Sequence, residues 1–322
     1  MCSCLRVIDE RREWDDLVVT QGGHPLQLWG WGETKALHGA WQPHRLWSDA
    51  AGVGAQVLLR KLPGPFRSLA YLPRGPFGLR PLSLLPELSD WARARNCIEL
   101  KVEPHWPTGD VLPRGFSFSK NPVLLARTAT LDLSLSEETL LAAATKKTRQ
   151  YIRKSAKEGI AVREARSEKD IERCLVIYHQ TASRAGFGLH VDDYYYAVAK
   201  QLGSHSRIFV AEHQGAIVAF LWLAVTPALA FELYGGMDDR GQQLRANYSL
   251  KWQAISSLRA EGVALYDMNG LLGEGISAFK LGFTGGREEL LLGTLDAPLS
   301  PLYGIWEGLL PKARSLIRLL RR

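Results

Sequence analysis

The chain has 322 residues, 46% hydrophobic and 23% charged, with 40 Lys and Arg against 33 Asp and Glu for a formal net charge of +7. These values fit one or two globular domains, two being favoured, and exclude a disordered, fibrous or disulfide-stapled chain. The positive excess points to an anionic partner (nucleic acid, nucleotide or membrane surface) without choosing among them.

The opening stretch, MCSCLRVIDERREWDD, has no apolar core and does not read as a signal peptide. Cys2, Cys4, Cys97 and Cys174 supply no second close pair, so neither a metal set nor a disulfide framework is expected. Reduced, non-catalytic thiols fit a cytoplasmic protein. RLWSDAAGVGAQVLLRKL predicts two strands around a Gly turn, and SLAYLPRGPFG predicts a third. LSLLPELSDWARARN then predicts a helix and CIELKVEP a buried strand. SEETLLAAATKKTRQYIRKSAKEG predicts one helix, capped by Ser134 or Ser136 and closed by Gly159. Its apolar stripe is Leu140, Leu141, Ala144, Thr148, Tyr151, Ile152 and Ala156.

Further along, RIFVAEHQGAIVAFLWLAV, LAFELYGGMDD, NYSLKWQAISSLRAEG and VALYDMNG repeat the order of strand, Gly turn, strand, strand, helix and buried strand. The longest apolar run, 216–231, is broken by Pro227 and reads as two buried strands, too short to span a bilayer. EGLLPKARSLIRLLRR ends the chain as a basic amphipathic helix, with Leu309, Leu310, Ala313, Ile317 and Leu320 opposite Lys312, Arg314, Arg318, Arg321 and Arg322. Packing on the first domain is one reading; contact with an anionic membrane surface is the other.

Gly52 and Gly215 are 163 residues apart, as are Tyr71 and Tyr234, while Leu100 and Tyr266 are 166 apart. Two copies of one mixed α/β unit are therefore expected, one in residues 1–145 and one in residues 146–295. A strand hairpin feeding a helix and then a buried strand is the plan of GNAT-type N-acyltransferases. Their pyrophosphate loop offers backbone N–H groups at a helix start. Here Arg245 in QQLRANY and Pro81 in GPFGLRPLS stand in the way, so coenzyme A is not expected as donor.

WGETKALHGAW (31–41), LPRGP (72–76), KKTRQYIRKSAKEGI, LYGG (233–236), YDMNG (266–270) and FKLGFTGG (279–286) occur in that order. Together they resemble the Fem-type peptidoglycan aminoacyltransferases, over nearly the whole chain. The resemblance implies two tandem GNAT-like domains, of the type without an inserted helical arm, and a C-terminal segment, here 296–322, that returns to the first domain (1–145). It implies aminoacyl-tRNA as donor and, as acceptor, an amine on the stem peptide of UDP-MurNAc-pentapeptide or lipid II. The product would be an interpeptide bridge or branch. No cofactor and no metal are expected, because an aminoacyl ester is already activated and aminolysis needs orientation, proton loss and oxyanion stabilisation.

Lys280, between Phe279 and Phe283, is the candidate charge for the oxyanion or the tRNA terminus; a snorkelling surface Lys is the alternative. Asp267 is the candidate to orient the amine or take its proton, against a structural role in holding the Asn-Gly turn. The resemblance assigns Lys35 and Arg184 to the precursor's phosphates, with Thr181 as a nearby donor. Tyr234 and Tyr248 are candidates for the peptide pocket, against a core role for Tyr234. Lys146, Lys147, Arg149, Arg153, Lys154 and Lys157 fall within 12 residues that contain no acid. With no acid inside the run to pair with them, they read as an anion-binding surface, the tRNA backbone being the anion, against the alternative of a solvated helix face. Two rival readings stand beside this one: a GNAT-like enzyme acting on a protein N-terminus or small amine, and a non-catalytic RNA- or membrane-binding protein.

Overall fold

The computed structural model describes residues 5–109 and 112–320, except the side chains of 312–320. Cys2, Cys4 and the side-chain faces expected of Lys312, Ala313, Arg314, Ile317, Arg318, Leu320, Arg321 and Arg322 lie outside the described residues. Two compact units divide the chain: Met1–Ala126 with Leu290–Arg322, and Arg127–Glu289.

The first unit begins with β1 (Arg6–Val7), α1 (Arg11–Thr20) and α2 (Trp29–Gly39). The expected hairpin follows as β2 (Trp41–Ser48) and β3 (Val53–Lys61), with Gly52 at φ +62° in its turn. Then come β4 (Ser68–Pro73), β5 (Phe77–Gly78), α3 (Leu85–Ala94), β6 (Cys97–Glu103) and β7 (Ser117–Phe118). The second unit opens with β8 (Arg127–Thr128), β9 (Thr130–Asp132), α4 (Glu137–Ala143), α5 (Lys146–Lys157) and β10 (Ala161–Glu164). It continues with α6 (Glu168–Ala185), α7 (Asp192–Leu202), β11 (Ser206–His213), β12 (Ala216–Val225) and β13 (Leu229–Met237). After α8 (Asp239–Leu244) come α9 (Ala246–Ala260), β14 (Leu265–Asp267) and α10 (Glu274–Phe283). The chain returns through β15 (Glu289–Leu290), β16 (Leu295–Pro298) and α11 (Tyr303–Leu320).

The duplication is visible in the sheets. In the first unit β2, β3 and β4 are antiparallel neighbours and β4 pairs parallel with β6. In the second, β11, β12 and β13 are antiparallel neighbours and β13 pairs parallel with β14. The helix between the parallel strands is α3 in one unit and α9 in the other. β16 returns to pair with β6, and α11 is tied down by Tyr303 to Asp296 (2.9 Å), Trp306 to Glu99 (3.1 Å) and Asn121 to Glu307 (2.6 Å), so the C-terminal segment belongs to the first unit.

Two sequence expectations differ from the structure. The unit borders fall at 126/127 and 289/290, not 145/146 and 295/296. β9 accounts for the first shift: Leu131 pairs with Tyr266, so this stretch is a strand of the second sheet. The single helix across 136–158 is two helices. Ala144 turns to ψ 151°, Thr145 caps α5 by accepting from the Thr148 N–H, and the Thr145 N–H donates to the Gly282 carbonyl at 2.9 Å. The turn just after α10 packs against this break: a Cβ at Gly285 would lie 2.5 Å from the Ala143 carbonyl.

Candidate active site

The two parallel ladders end differently. β4 and β6 stay paired from Ser68 opposite Cys97 to Pro73 opposite Glu103. β13 and β14 pair only from Leu229 opposite Leu265 to Phe231 opposite Asp267, although β13 runs on to Met237. The sheet of the second unit therefore opens at Glu232, on the carboxyl side of two parallel strands. The loop after β14, Met268 to Gly270, presents its carbonyls at this opening.

Lys280 occupies that place. From the last turn of α10 its ammonium donates to the carbonyls of Met268 (2.5 Å), Asn269 (3.3 Å) and Gly270 (3.1 Å). An ammonium has three N–H donors, so the three carbonyls saturate it and fix the charge in place. Phe279 and Phe283 flank it and join Tyr248 and Tyr151 in one aromatic cluster. The Tyr248 ring lies 4.9 Å from Phe279 and 5.0 Å from Tyr151. Arg245, the residue in the way of a pyrophosphate loop, adopts a left-handed conformation (φ +55°) at the start of α9 and lays its guanidinium 4.6 Å over Tyr151.

α5 packs on α9 of the same unit through buried Thr148, Ile152 and Ser155, and Ser249 donates to the Ile152 carbonyl at 3.2 Å. That seating turns Lys146, Lys147, Arg153, Lys154 and Lys157 outward, and all five are exposed. Arg149 is the exception. It is half-buried and donates to the carbonyls of Ala142 (2.9 Å) and Ala144, capping the end of α4. Among the described residues none of the six makes an ion pair.

A model of the FemAB family matches residues 122–216 and 213–309, more than half of the sequence. The chain belongs to the FemAB family. It is thus a transferase of the peptidoglycan bridge-forming kind. A crystal structure of FemX superposes with a TM-score of 0.83 at 18% identity, covering 94% of this chain and 100% of that one. L-PGS from Bacillus licheniformis gives 0.58 at 13% identity over 94% and 96% of the two chains. A tandem GNAT protein from the clavulanic acid biosynthesis pathway gives 0.53 at 14% identity over 92% and 99%. At these identities the superpositions speak for the fold, a tandem GNAT-like one. No curated protein sequence matches the chain.

Not every residue singled out from this FemAB sequence joins Lys280. Asp267 is fully buried; its Oδ1 accepts the Thr128 hydroxyl and, at 2.6 Å, the Asn269 N–H, which is the turn-holding arrangement. Tyr234 and Tyr248 do not share a pocket. Trp222 pairs with Tyr234 and Leu223 with Glu232, so Leu233 is an extra, bulged residue. The bulge sends Glu232 toward α9 and Tyr234 to the other face, among Tyr178, Tyr194, Tyr195 and Trp222. Burial holds the Tyr234 hydroxyl well above the usual phenol range. Packing requires a glycine at the second position that follows: a Cβ at Gly236 would stand 2.6 Å from the Thr181 hydroxyl, which donates to the Met237 carbonyl at 3.2 Å. Arg184, on the same helix as Thr181, donates to Asp239 (3.1 Å) and to the Met237 carbonyl. Lys35 lies on α2 in the first unit, half-buried, its ammonium 4.5 Å over the Trp31 ring. Cys97 and Cys174 are buried, and burial pushes their thiols up to about 11 and about 12.

Two buried charge clusters escaped the sequence reading. Lys251 of α9 is 3% exposed and forms an ion pair with Glu232, 7% exposed, which also accepts the Tyr266 hydroxyl at 2.7 Å. Lys251 falls inside the apolar stripe of its helix, beside Leu250 and ahead of Ala254, Ile255 and Leu258, a signal that was available. In the first unit Glu99, Asp296 and Glu307 converge closely enough to hold a metal ion. The Lys101 ammonium already supplies a cation there, 2.5 Å from Asp296, 3.6 Å from Glu99 and 3.8 Å from Glu307. No helix among the described residues is long and apolar enough to cross a membrane.

Proposed function

We infer that this FemAB protein moves an aminoacyl group from aminoacyl-tRNA to an amine on the stem peptide of a UDP-linked or lipid-linked muropeptide. The observation that carries the reading is the Lys280 ammonium, fixed by three carbonyls where β13 and β14 part. The amine attacks the ester carbonyl, the C–N bond forms, and the carbonyl oxygen gains negative charge. With its three N–H groups held by the loop carbonyls, the fixed ammonium stabilises that oxyanion through its charge, without reorganising at the moment of reaction. The ester C–O bond then breaks, and the departing ribose oxygen takes the proton that the amine gives up. Asp267, fully buried, is given no part in this transfer.

The outward cations of α5 hold the tRNA backbone, with counter-ion release supplying sequence-independent affinity. Lys35 is assigned to the precursor's diphosphate. Arg184 is likewise assigned to a precursor phosphate, by exchanging its exposed Asp239 partner, a pair of the kind that contributes little in solvent.

Purified protein, aminoacyl-tRNA and either UDP-MurNAc-pentapeptide or lipid II are expected to yield a muropeptide heavier by one or more aminoacyl groups. Lys280→Ala is expected to lower kcat by about 10²–10³, the scale on which one preorganised electrostatic stabiliser of an oxyanion acts. Unchanged muropeptide mass with both acceptors and a full set of aminoacyl-tRNAs would refute the reading.

A further inference from the structure

Lys251 does not reach the loop that holds Lys280, yet a continuous line of contacts joins the two. The Lys251 ammonium pairs with the Glu232 side chain at the point where β13 leaves β14. The Glu232 carbonyl accepts from the Asn269 side-chain amide at 2.9 Å. The Asn269 carbonyl in turn is one of the three that accept from Lys280. A second line runs through α10. The Lys251 ammonium lies 5.1 Å over Phe279 and 5.8 Å over Phe283, the residues bracketing Lys280.

Such a pair is not explained by stability. Removing two charges from water costs several kcal/mol per ion, and well-packed apolar residues often replace a buried pair at no loss. Burial, together with the nearby Lys280 charge, lowers the Lys251 ammonium to about 8 despite the Glu232 carboxylate. The pair does fix orientation. It fixes the Glu232 peptide, and thereby Asn269, along one line of contacts to Lys280, and the two aromatic rings along the other.

We propose that Lys251 is a positioning residue for Lys280, acting through Glu232 and Asn269. The proposal rests on the reading of Lys280 as the catalytic charge. The test measures the clamp and the chemistry separately. An amine-acylating reagent labels the folded protein, and the rate at Lys280 is read by peptide mass spectrometry. Lys251→Met removes the pair at similar volume. Asn269→Gly cuts the line while keeping Lys251, and the left-handed backbone of Asn269 (φ +58°) suits glycine. Loss of the Lys251 charge by itself favours the Lys280 ammonium and slows labelling, so acceleration reads release from the carbonyls.

Both variants are expected to label Lys280 at least about threefold faster than the parent while still folded, with a lowered Tm for Lys251→Met because Glu232 is left buried without its partner. Their transfer kcat falls about tenfold or more at constant KM, as misplacement of a catalytic group predicts. Lys251→Arg recovers part of both. Unchanged labelling in the two folded variants overturns the proposal whatever the transfer assay shows. Faster labelling with no loss of transfer in Lys280→Ala confirms the line of contacts and instead removes the catalytic reading of Lys280. Should Lys251→Met fail to fold, the Asn269→Gly result decides.

Discussion

Gly282 is the residue on which α10 leans against α5, and its replacement gives a quantitative test of the seam between the Lys280 helix and the basic helix. A Cβ there would fall inside 3.0 Å of the Thr148 hydroxyl, while the next atom, the Thr148 Cβ, would be at 3.6 Å, ordinary contact. Thr148 is 3% exposed, so its side chain has no open space to enter. Gly282→Ala is therefore expected to destabilise by about 1–3 kcal/mol, the usual range for overpacking. Thr148→Ala removes the hydroxyl that accepts from Thr145 at 3.0 Å and costs about 1 kcal/mol. The double variant has no clash, because only the hydroxyl was too close. Its loss should fall short of the sum of the singles by about 1–2 kcal/mol, beyond the ~0.5 kcal/mol within which independent sites add. Urea unfolding of the four proteins gives the coupling. Additive losses would refute the packing argument and place the strain of Gly282→Ala elsewhere.

Neutralising two outward cations with Arg153→Gln and Lys157→Gln should weaken tRNA binding and flatten the slope of log K against log salt by about 1.4–1.8, at ~0.7–0.9 per phosphate contact. Binding of the UDP-linked precursor should not change; an equal loss for both ligands would mean that α5 serves the fold or the other substrate. Glu99 gives a pH signature. Burial lifts its carboxyl from 4.5 to about 7 against the opposing Lys101, with Asp296 and Glu307 adding to the lift. A raised folded-state value means that the folded protein binds the proton more tightly. Stability should therefore rise as pH falls from about 7 toward 4.5, by ~3 kcal/mol at most. Glu99→Gln should remove this rise and stabilise the protein at pH 8, as read by Tm against pH; a parallel pH profile in the variant would show that Glu99 is ionised in the fold. Asp267→Asn should cost about 1–3 kcal/mol by disturbing a buried acceptor yet leave the kcat of folded enzyme within about threefold; a loss as large as that of Lys280→Ala would return Asp267 to the chemistry.

The duplication was legible because its signals are local: apolar runs at strand length, Gly52 and Gly215 at the same place in each hairpin, and helices with periodic stripes. The basic run and the Lys280 motif were legible for the same reason. What the sequence hid depended on contacts between distant segments. The residues of α4 and α5 keep helical periodicity through Ala144, so nothing local marks the break; the contacts that meet it come from Gly282 and Gly285, far along the chain. Tyr234 read as a pocket residue because a Tyr before Gly-Gly at a strand end suggests close approach by a ligand, whereas the bulge at Leu233 turns it to the face opposite Glu232. Glu232 and Lys251 read as ordinary charges on a strand and a helix, though each sits among apolar neighbours that should have flagged burial.

Why one copy carries the fixed ammonium follows from where each parallel ladder stops. In the first unit Arg74, just past β4, still donates to the Glu103 carbonyl at 2.7 Å, so the chain stays tied to β6 beyond the last paired residue. Its carbonyls are spent on the sheet. In the second unit Asp267 accepts the Asn269 N–H and turns the chain away, and the Met268 N–H goes to Ala129 rather than to β13. Three successive carbonyls, at 268, 269 and 270, are left without a strand to receive them. Buried or half-buried carbonyls need a donor, and a single ammonium with three N–H groups satisfies all three at once. The early end of a three-residue ladder therefore creates the demand for a cation, and Lys280, one turn from the end of α10, meets it. Extending the β14 ladder by one residue would consume one of those carbonyls and loosen the charge, so the shortness of β14 is itself a requirement of the site.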